Sequence, residues 1–114
     1  MSAITLRLLP WYNLAMKTIA DISAVVCDVM VHYDVREVYL FGSYARGDVR
    51  LDSDVDLRFV CGPTVTFGML YEIVELLESR LGVKVEIVTS PLSEMRAGFR
   101  ENILRDEVKL YEAA

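Results

Sequence analysis

The residues with the chemistry to act on a substrate crowd into one stretch: Gly42-Ser43-Tyr44-Ala45-Arg46-Gly47 and then, after residues 48–53, Asp54-Val55-Asp56-Leu57. Glycine at position 42 has no Cβ to keep an anion from the backbone, and Ser43 adds a hydroxyl donor at the expected start of a short helix. Together they have the makings of a phosphate grip. Asp54 and Asp56 are two residues apart at the start of an expected strand, so their carboxylates point to one side while Val55 and Leu57 point into the core. Two carboxylates roughly 6 to 7 Å apart repel by about 2 to 3 kcal/mol at an effective dielectric near 20, a cost that calls for a cation. Magnesium suits the place, since it takes one or two carboxylates and completes its shell with phosphate oxygens and water. A second ion sharing the pair would stabilise both the attacking oxygen and the leaving pyrophosphate of an in-line displacement. Glu86, on the polar face of a later strand, is a third acid able to complete the site.

These side chains need a scaffold, and the periodicity supplies one. Over residues 13–32, with Asn13 as a cap, Leu14, Ile22, Val25, Val26, Val29 and Met30 recur at helical spacing while Lys17, Asp21 and Asp28 fall off the stripe. Residues 37–41 are short, aromatic and β-branched and stop at Gly42, which reads as a strand entering a turn; residues 43–46 then begin a short helix. A strand over 55–60 is closed by Gly62-Pro63, and Phe67, Leu70, Ile73, Val74, Leu77 and Leu81 line one face of a helix ended by Gly82. Val83, Val85 and Ile87 alternate with Lys84, Glu86 and Val88 as in a strand with one buried face, and Pro91 ends it. A helix over 92–105 carrying Met95, Phe99 and Ile103, and a strand over 108–111, complete the chain. Alternating strands and helices predict an α/β fold with helices packed on a central sheet. Residues 13–112 form one domain on this reading, and residues 1–12 are a separate N-terminal segment without an assigned role.

Other chemistries fail on particular residues. Asp52, Asp54 and Asp56 mimic the opening of a calcium loop, but Leu57 stands where that loop needs Gly and Pro63 where it needs a bidentate Glu. No Walker A lysine follows Gly42-Ser43. His32, the one histidine, falls near a helix end as a cap or surface residue, which leaves a histidine-based triad unsupported. Arg58 shares the face of Asp54 and Asp56, so the competing structural account is a surface salt-bridge cluster worth about 0–1 kcal/mol per pair.

Composition narrows the class further. A chain of 114 residues, 54% apolar and 25% charged, has the balance of a globular protein. Its net charge of −5 disfavours direct nucleic-acid binding, which is driven by clustered Lys and Arg. Cys27 and Cys61 lack metal or disulfide spacing and read as small buried hydrophobes in a reducing cytoplasm. The apolar stretch 18–33 is broken by Asp21 and Asp28, so neither a membrane span nor a signal peptide is expected.

Gly42-Ser43, ten residues, then Asp54-Val55-Asp56 resembles the signature of the DNA polymerase β-type nucleotidyltransferase superfamily. Gly-Ser-Tyr-Ala-Arg-Gly-Asp, Ser-Asp-Val-Asp-Leu, Val85-Glu86-Ile87-Val88 and the ending Val108-Lys109-Leu110-Tyr111-Glu112 are most similar to its minimal nucleotidyltransferases, over residues 13–112. The resemblance implies a mixed β-sheet with flanking helices. It implies that Gly42 and Ser43 hold the β- and γ-phosphates of ATP, that Arg46 lies near them, and that Asp54 and Asp56 bind two magnesium ions. Glu86 matches a third acid that is commonly Asp, either a metal ligand or the acceptor of a proton. Minimal nucleotidyltransferases are often paired with a HEPN-domain ribonuclease toxin, which implies an antitoxin that transfers AMP to a tyrosine of that toxin. The length agrees, because a core this small leaves little for a second substrate domain, and the acceptor must come from a partner or an oligomer interface, homo- or hetero-oligomeric. The rival readings are transfer to a small molecule such as an antibiotic, and a non-catalytic antitoxin that acts by binding alone.

Overall fold

A computed structural model describes residues 18–114, so the 1–12 segment and the expected helix start at Asn13 lie outside the described residues. Helix α1 (Ile19–Met30) is entered through a capping box: Asp21 N–H donates to the Thr18 hydroxyl at 3.1 Å and Thr18 N–H to the Asp21 carboxylate at 2.9 Å. Such a box satisfies two backbone donors that the helix itself cannot. Strand β1 (Val35–Phe41) follows, then the five-residue helix α2 (Gly42–Arg46), strand β2 (Val55–Cys61) and helix α3 (Phe67–Leu81). Strand β3 (Val85–Val88), a 3₁₀ turn at Leu92–Glu94, helix α4 (Ala97–Asp106) and strand β4 (Val108–Glu112) complete the order. Among the described residues no helix is long and apolar enough to cross a membrane.

The sheet order is β3-β2-β1-β4; β1 runs antiparallel to both neighbours, and β3 is parallel to β2. It is therefore the mixed sheet expected. On one face Ile22, Val26 and Met30 of α1 and Ile73, Leu77 and Leu81 of α3 bury Val38 and Leu40 of β1 and Leu57 and Phe59 of β2. Alternation puts Tyr39, Phe41, Asp56 and Arg58 on the opposite face, where Phe99 of α4 meets Phe41 edge to face at 5.9 Å. The long helices make the core, and the other face is left for polar work.

Three local expectations differ from what is seen. Phe67, placed on the apolar face of α3 by its spacing, is the first helical residue after the Thr66 cap and is 90% exposed, beside an open groove that it lines with Cys61 and Leu70. The expected helix over 92–105 is broken at Met95 and Arg96, whose backbones are extended. The break places Gly98 in the first turn of α4 instead of mid-helix, where it would cost about 1 kcal/mol relative to Ala. Cys27 and Cys61 are only half buried, and the Cys27 thiol donates to the Leu110 carbonyl at 3.5 Å.

Candidate active site

The β1–α2 turn and the start of β2 meet because the strands are paired in register. Phe41 lies opposite Asp56 across β1 and β2, and Asp56 lies beside Glu86 across β2 and β3. The sheet thus sets Glu86, Asp56 and the entry to α2 in one row. Asp54 precedes β2 directly and is held there by the Val55 N–H, which donates to the Lys84 carbonyl at 2.9 Å.

Gly42 begins α2 with φ +75, a left-handed conformation that glycine adopts without steric cost. A Cβ at this position would overlap Asp56 Oδ2 and stand 3.2 Å from Asp56 Cγ. The backbone of the turn and the carboxylate are packed together, and only glycine permits it. Ser43 follows in the first turn, half buried, and its carbonyl accepts the N–H groups of Gly47 at 2.9 Å and Asp48 at 3.1 Å.

Asp56 is half buried, and desolvation pushes its carboxyl up to about 6. The charge of Glu86 and then that of Asp54 push the same way, while Arg46 opposes them. Glu86 and Asp54 therefore both lie near enough to Asp56 for their charges to reach it. Yet among the described residues no three His, Cys, Asp or Glu side chains gather tightly enough to hold a metal ion by themselves. Glu86 explains this, for it lies at the rim with its side chain 54% exposed and pairs with Lys84 Nζ at 3.3 Å. A magnesium site does not need a closed protein cage, since substrate phosphates and water fill most of the shell. The residues present fit such an ion: the donors are hard oxygens, and a carboxylate raised to about 6 first by desolvation and then by the charges of Glu86 and Asp54 is one that a cation would stabilise.

Arg46 ends α2, exposed, with its guanidinium 3.4 Å from Asp48 and 3.6 Å from Asp106 of α4. It reaches the field of Asp56 without touching it. Arg58, which the competing account would pair with the aspartates, is not their partner: it is held by Glu107, at 3.0 Å on both carboxylate oxygens. The structural account of the paired aspartates loses its cation.

Sequence reasoning missed Lys84, Asp106 and Glu107 as neighbours of the site. Lys84 had a visible signal, because it lies on the same polar strand face as Glu86. Asp106 and Glu107 had none, being far along the chain from the groups they hold. His32 is exposed just beyond α1 and takes no part. A groove of about 540 Å³ lined by Cys61, Val65, Thr66, Phe67, Leu70 and Thr89 lies at the far end of β2 from the acids and is separate from them.

Comparison with known proteins agrees with this geometry. The Polymerase beta, Nucleotidyltransferase family matches residues 26–114. Protein adenylyltransferase MntA of Thermococcus cleftensis is 31% identical over 99 residues, spanning 83% of this chain and 98% of the relative. A solved structure assigned as a minimal nucleotidyltransferase superposes with a TM-score of 0.64 at 30% identity, covering 81% of this chain and 95% of the other. The fold is also that of a structure of tri-AMPylated Shewanella oneidensis HEPN toxin in complex with MNT antitoxin, at a TM-score of 0.53 and 19% identity, covering 92% and 74% of the two chains. A match that takes in the turn, both aspartates and Glu86, with a relative of nearly the same extent, identifies the chain as an enzyme, a minimal nucleotidyltransferase of the polymerase beta family.

Proposed function

We propose that this nucleotidyltransferase is an antitoxin that moves AMP from ATP to a tyrosine hydroxyl of a HEPN-domain toxin. The observation that carries the reading is the packing of Gly42 against Asp56, which joins a phosphate-binding turn to the acids in one site. The relative of similar extent is a protein adenylyltransferase, and a HEPN toxin bearing AMP is the partner in a structure of the same fold. Both favour a protein acceptor and ATP as donor.

In this site Gly42 and Ser43 hold the β- and γ-phosphates, the first through a backbone no Cβ obstructs and the second through its hydroxyl. Arg46, held by two long single contacts, is free to turn its guanidinium to the same phosphates. Asp54 and Asp56 would hold magnesium, which when bound neutralises the phosphates and stabilises the charge that develops on the departing pyrophosphate. Glu86 completes the acid set from the neighbouring strand. The acceptor oxygen bonds to the α-phosphorus, the bond from that phosphorus to the pyrophosphate oxygen breaks, and the hydroxyl proton passes to a carboxylate of the site.

The test is transfer of label from α-³²P-ATP, with magnesium, to a HEPN protein encoded beside this chain. Wild-type protein is expected to label the toxin and silence its ribonuclease; Asp54→Asn with Asp56→Asn is expected to reduce both by about 10³-fold or more. A doubly substituted protein that still neutralises the toxin would establish blocking by contact alone. Label appearing on an antibiotic and not on the toxin would establish a small-molecule acceptor.

A further inference from the structure

Arg58 is the one buried charged residue among the described residues, 7% exposed. Its Nε and Nη2 each donate to a Glu107 oxygen at 3.0 Å, and its guanidinium carbon lies 4.3 Å over the Tyr39 ring. Glu107 is fixed in turn: it caps α4, and its N–H donates to the carbonyl of the buried Ile103 at 2.8 Å. Stability alone is a weak reason for such a clamp, since a buried ion pair is often replaceable by apolar groups without loss.

Its location suggests another purpose. Arg58 is two residues along β2 from Asp56 and on the same face, so their Cα atoms are about 6.5 to 7 Å apart, within the span of an arginine side chain. Besides Glu107 the carboxylate that feels Arg58 is Glu37 of β1, which Tyr39 at 2.7 Å and Lys109 at 3.1 Å already engage; along its own strand the carboxylate within reach of a released guanidinium is Asp56. We propose that Glu107 is a positioning residue for the acid site: by engaging both arms of Arg58 it keeps that cation off Asp56 and leaves the carboxylate open to a divalent ion. This rests on the reading of Asp56 as a metal ligand. A guanidinium on Asp56 would compete with the ion at close range, where like charges at an effective dielectric near 20 weaken binding by about tenfold or more.

The experiment measures Mn²⁺ affinity by electron paramagnetic resonance in the full chain with AMP-PNP, with circular dichroism to show that each variant is folded. Glu107→Gln is expected to weaken Mn²⁺ binding about tenfold, and Glu107→Asp, a milder change that keeps the charge but shortens its reach, about threefold. Removing the displaced cation as well, in Arg58→Met with Glu107→Gln, is expected to restore binding to within about threefold of wild type. A folded Glu107→Gln or Glu107→Asp protein with wild-type affinity overturns the proposal. So does a double variant as weak as the single, which would make Glu107 a brace for α4 and nothing more. Wild-type protein that binds no Mn²⁺ refutes the metal reading and this proposal together, whereas wild-type binding insensitive to Glu107 refutes this proposal alone.

Discussion

Gly42→Ala separates the strain of a turn from the geometry of a site. Gly42 and Gly47 both have left-handed backbones, at φ +75 and +82. Alanine at either should cost about 1–2 kcal/mol of stability, the steric penalty of a Cβ in that region. Their surroundings differ completely. A Cβ at Gly47 meets nothing within 4 Å, while one at Gly42 overlaps Asp56 Oδ2 and comes within 3.2 Å of its Cγ and 3.4 Å of its Cβ. Ordinary contact between such atoms requires the Asp56 carboxylate to retreat by about 1 Å. A misplacement of about 1 Å in a reacting constellation costs about 10²-fold in rate. Urea denaturation should therefore show a loss for both variants, that of Gly42→Ala at least as large as that of Gly47→Ala. Single-turnover AMP transfer should fall about 10²-fold for Gly42→Ala and stay within about threefold of wild type for Gly47→Ala. Equal activities in the two folded variants would refute the claim that this glycine is dictated by the carboxylate beneath it.

Two further outcomes follow from the same cluster. The Asp56 carboxyl titrates at about 6 in the metal-free fold against an ordinary 3.8, so the folded state holds this proton more tightly than the unfolded chain does. The stability it contributes is complete below about pH 4 and is lost as pH rises through about 6. A two-unit shift is worth about 3 kcal/mol unscreened, and solvent at this half-buried group reduces it to about 1–2 kcal/mol. Asp56→Asn without divalent metal should accordingly exceed wild type in stability by about 1–2 kcal/mol at pH 8 and match it at pH 4, and equal differences at both pH values would contradict the assignment. Arg46→Ala should raise the KM for ATP by about tenfold through the loss of a charge-assisted phosphate contact. Its unfolding midpoint should barely move, since the contacts to Asp48 and Asp106 at 3.4 and 3.6 Å are long surface pairs; an unchanged KM would remove Arg46 from the nucleotide site.

How much of this was legible in the sequence depends on the distance over which each feature is decided. The strand that stops at Gly42, the cap at the end of α3 and the pairing of Asp54 with Asp56 are written in a few adjacent residues, and period and turn chemistry suffice to read them. Glu86 was placed by its polar strand face, but its pairing with Lys84 and its position beside Asp56 depend on which strand lies next to β2, a matter of topology. Phe67 obeyed the helical period and still fell outside the core, since period says which face is apolar and not which turn of the helix is covered.

Arg58 shows the same limit in its sharpest form. Read along the strand, it is the natural partner of the aspartates on its own face, and that inference supported the ordinary salt-bridge account. In the fold it is taken by Glu107, 49 residues away, and stacked on Tyr39 of the neighbouring strand. The short-range pairing of the competing account would set a buried cation on Asp56, and the long-range one takes Arg58 elsewhere, so that the cations near the acids are Lys84, paired with Glu86, and Arg46. Both are exposed side chains that can yield to an ion and a triphosphate brought from outside, as a buried guanidinium on Asp56 would not. On the proposed metal reading, the separation of Arg58 from Asp56 is therefore as much a part of the site as the acids themselves.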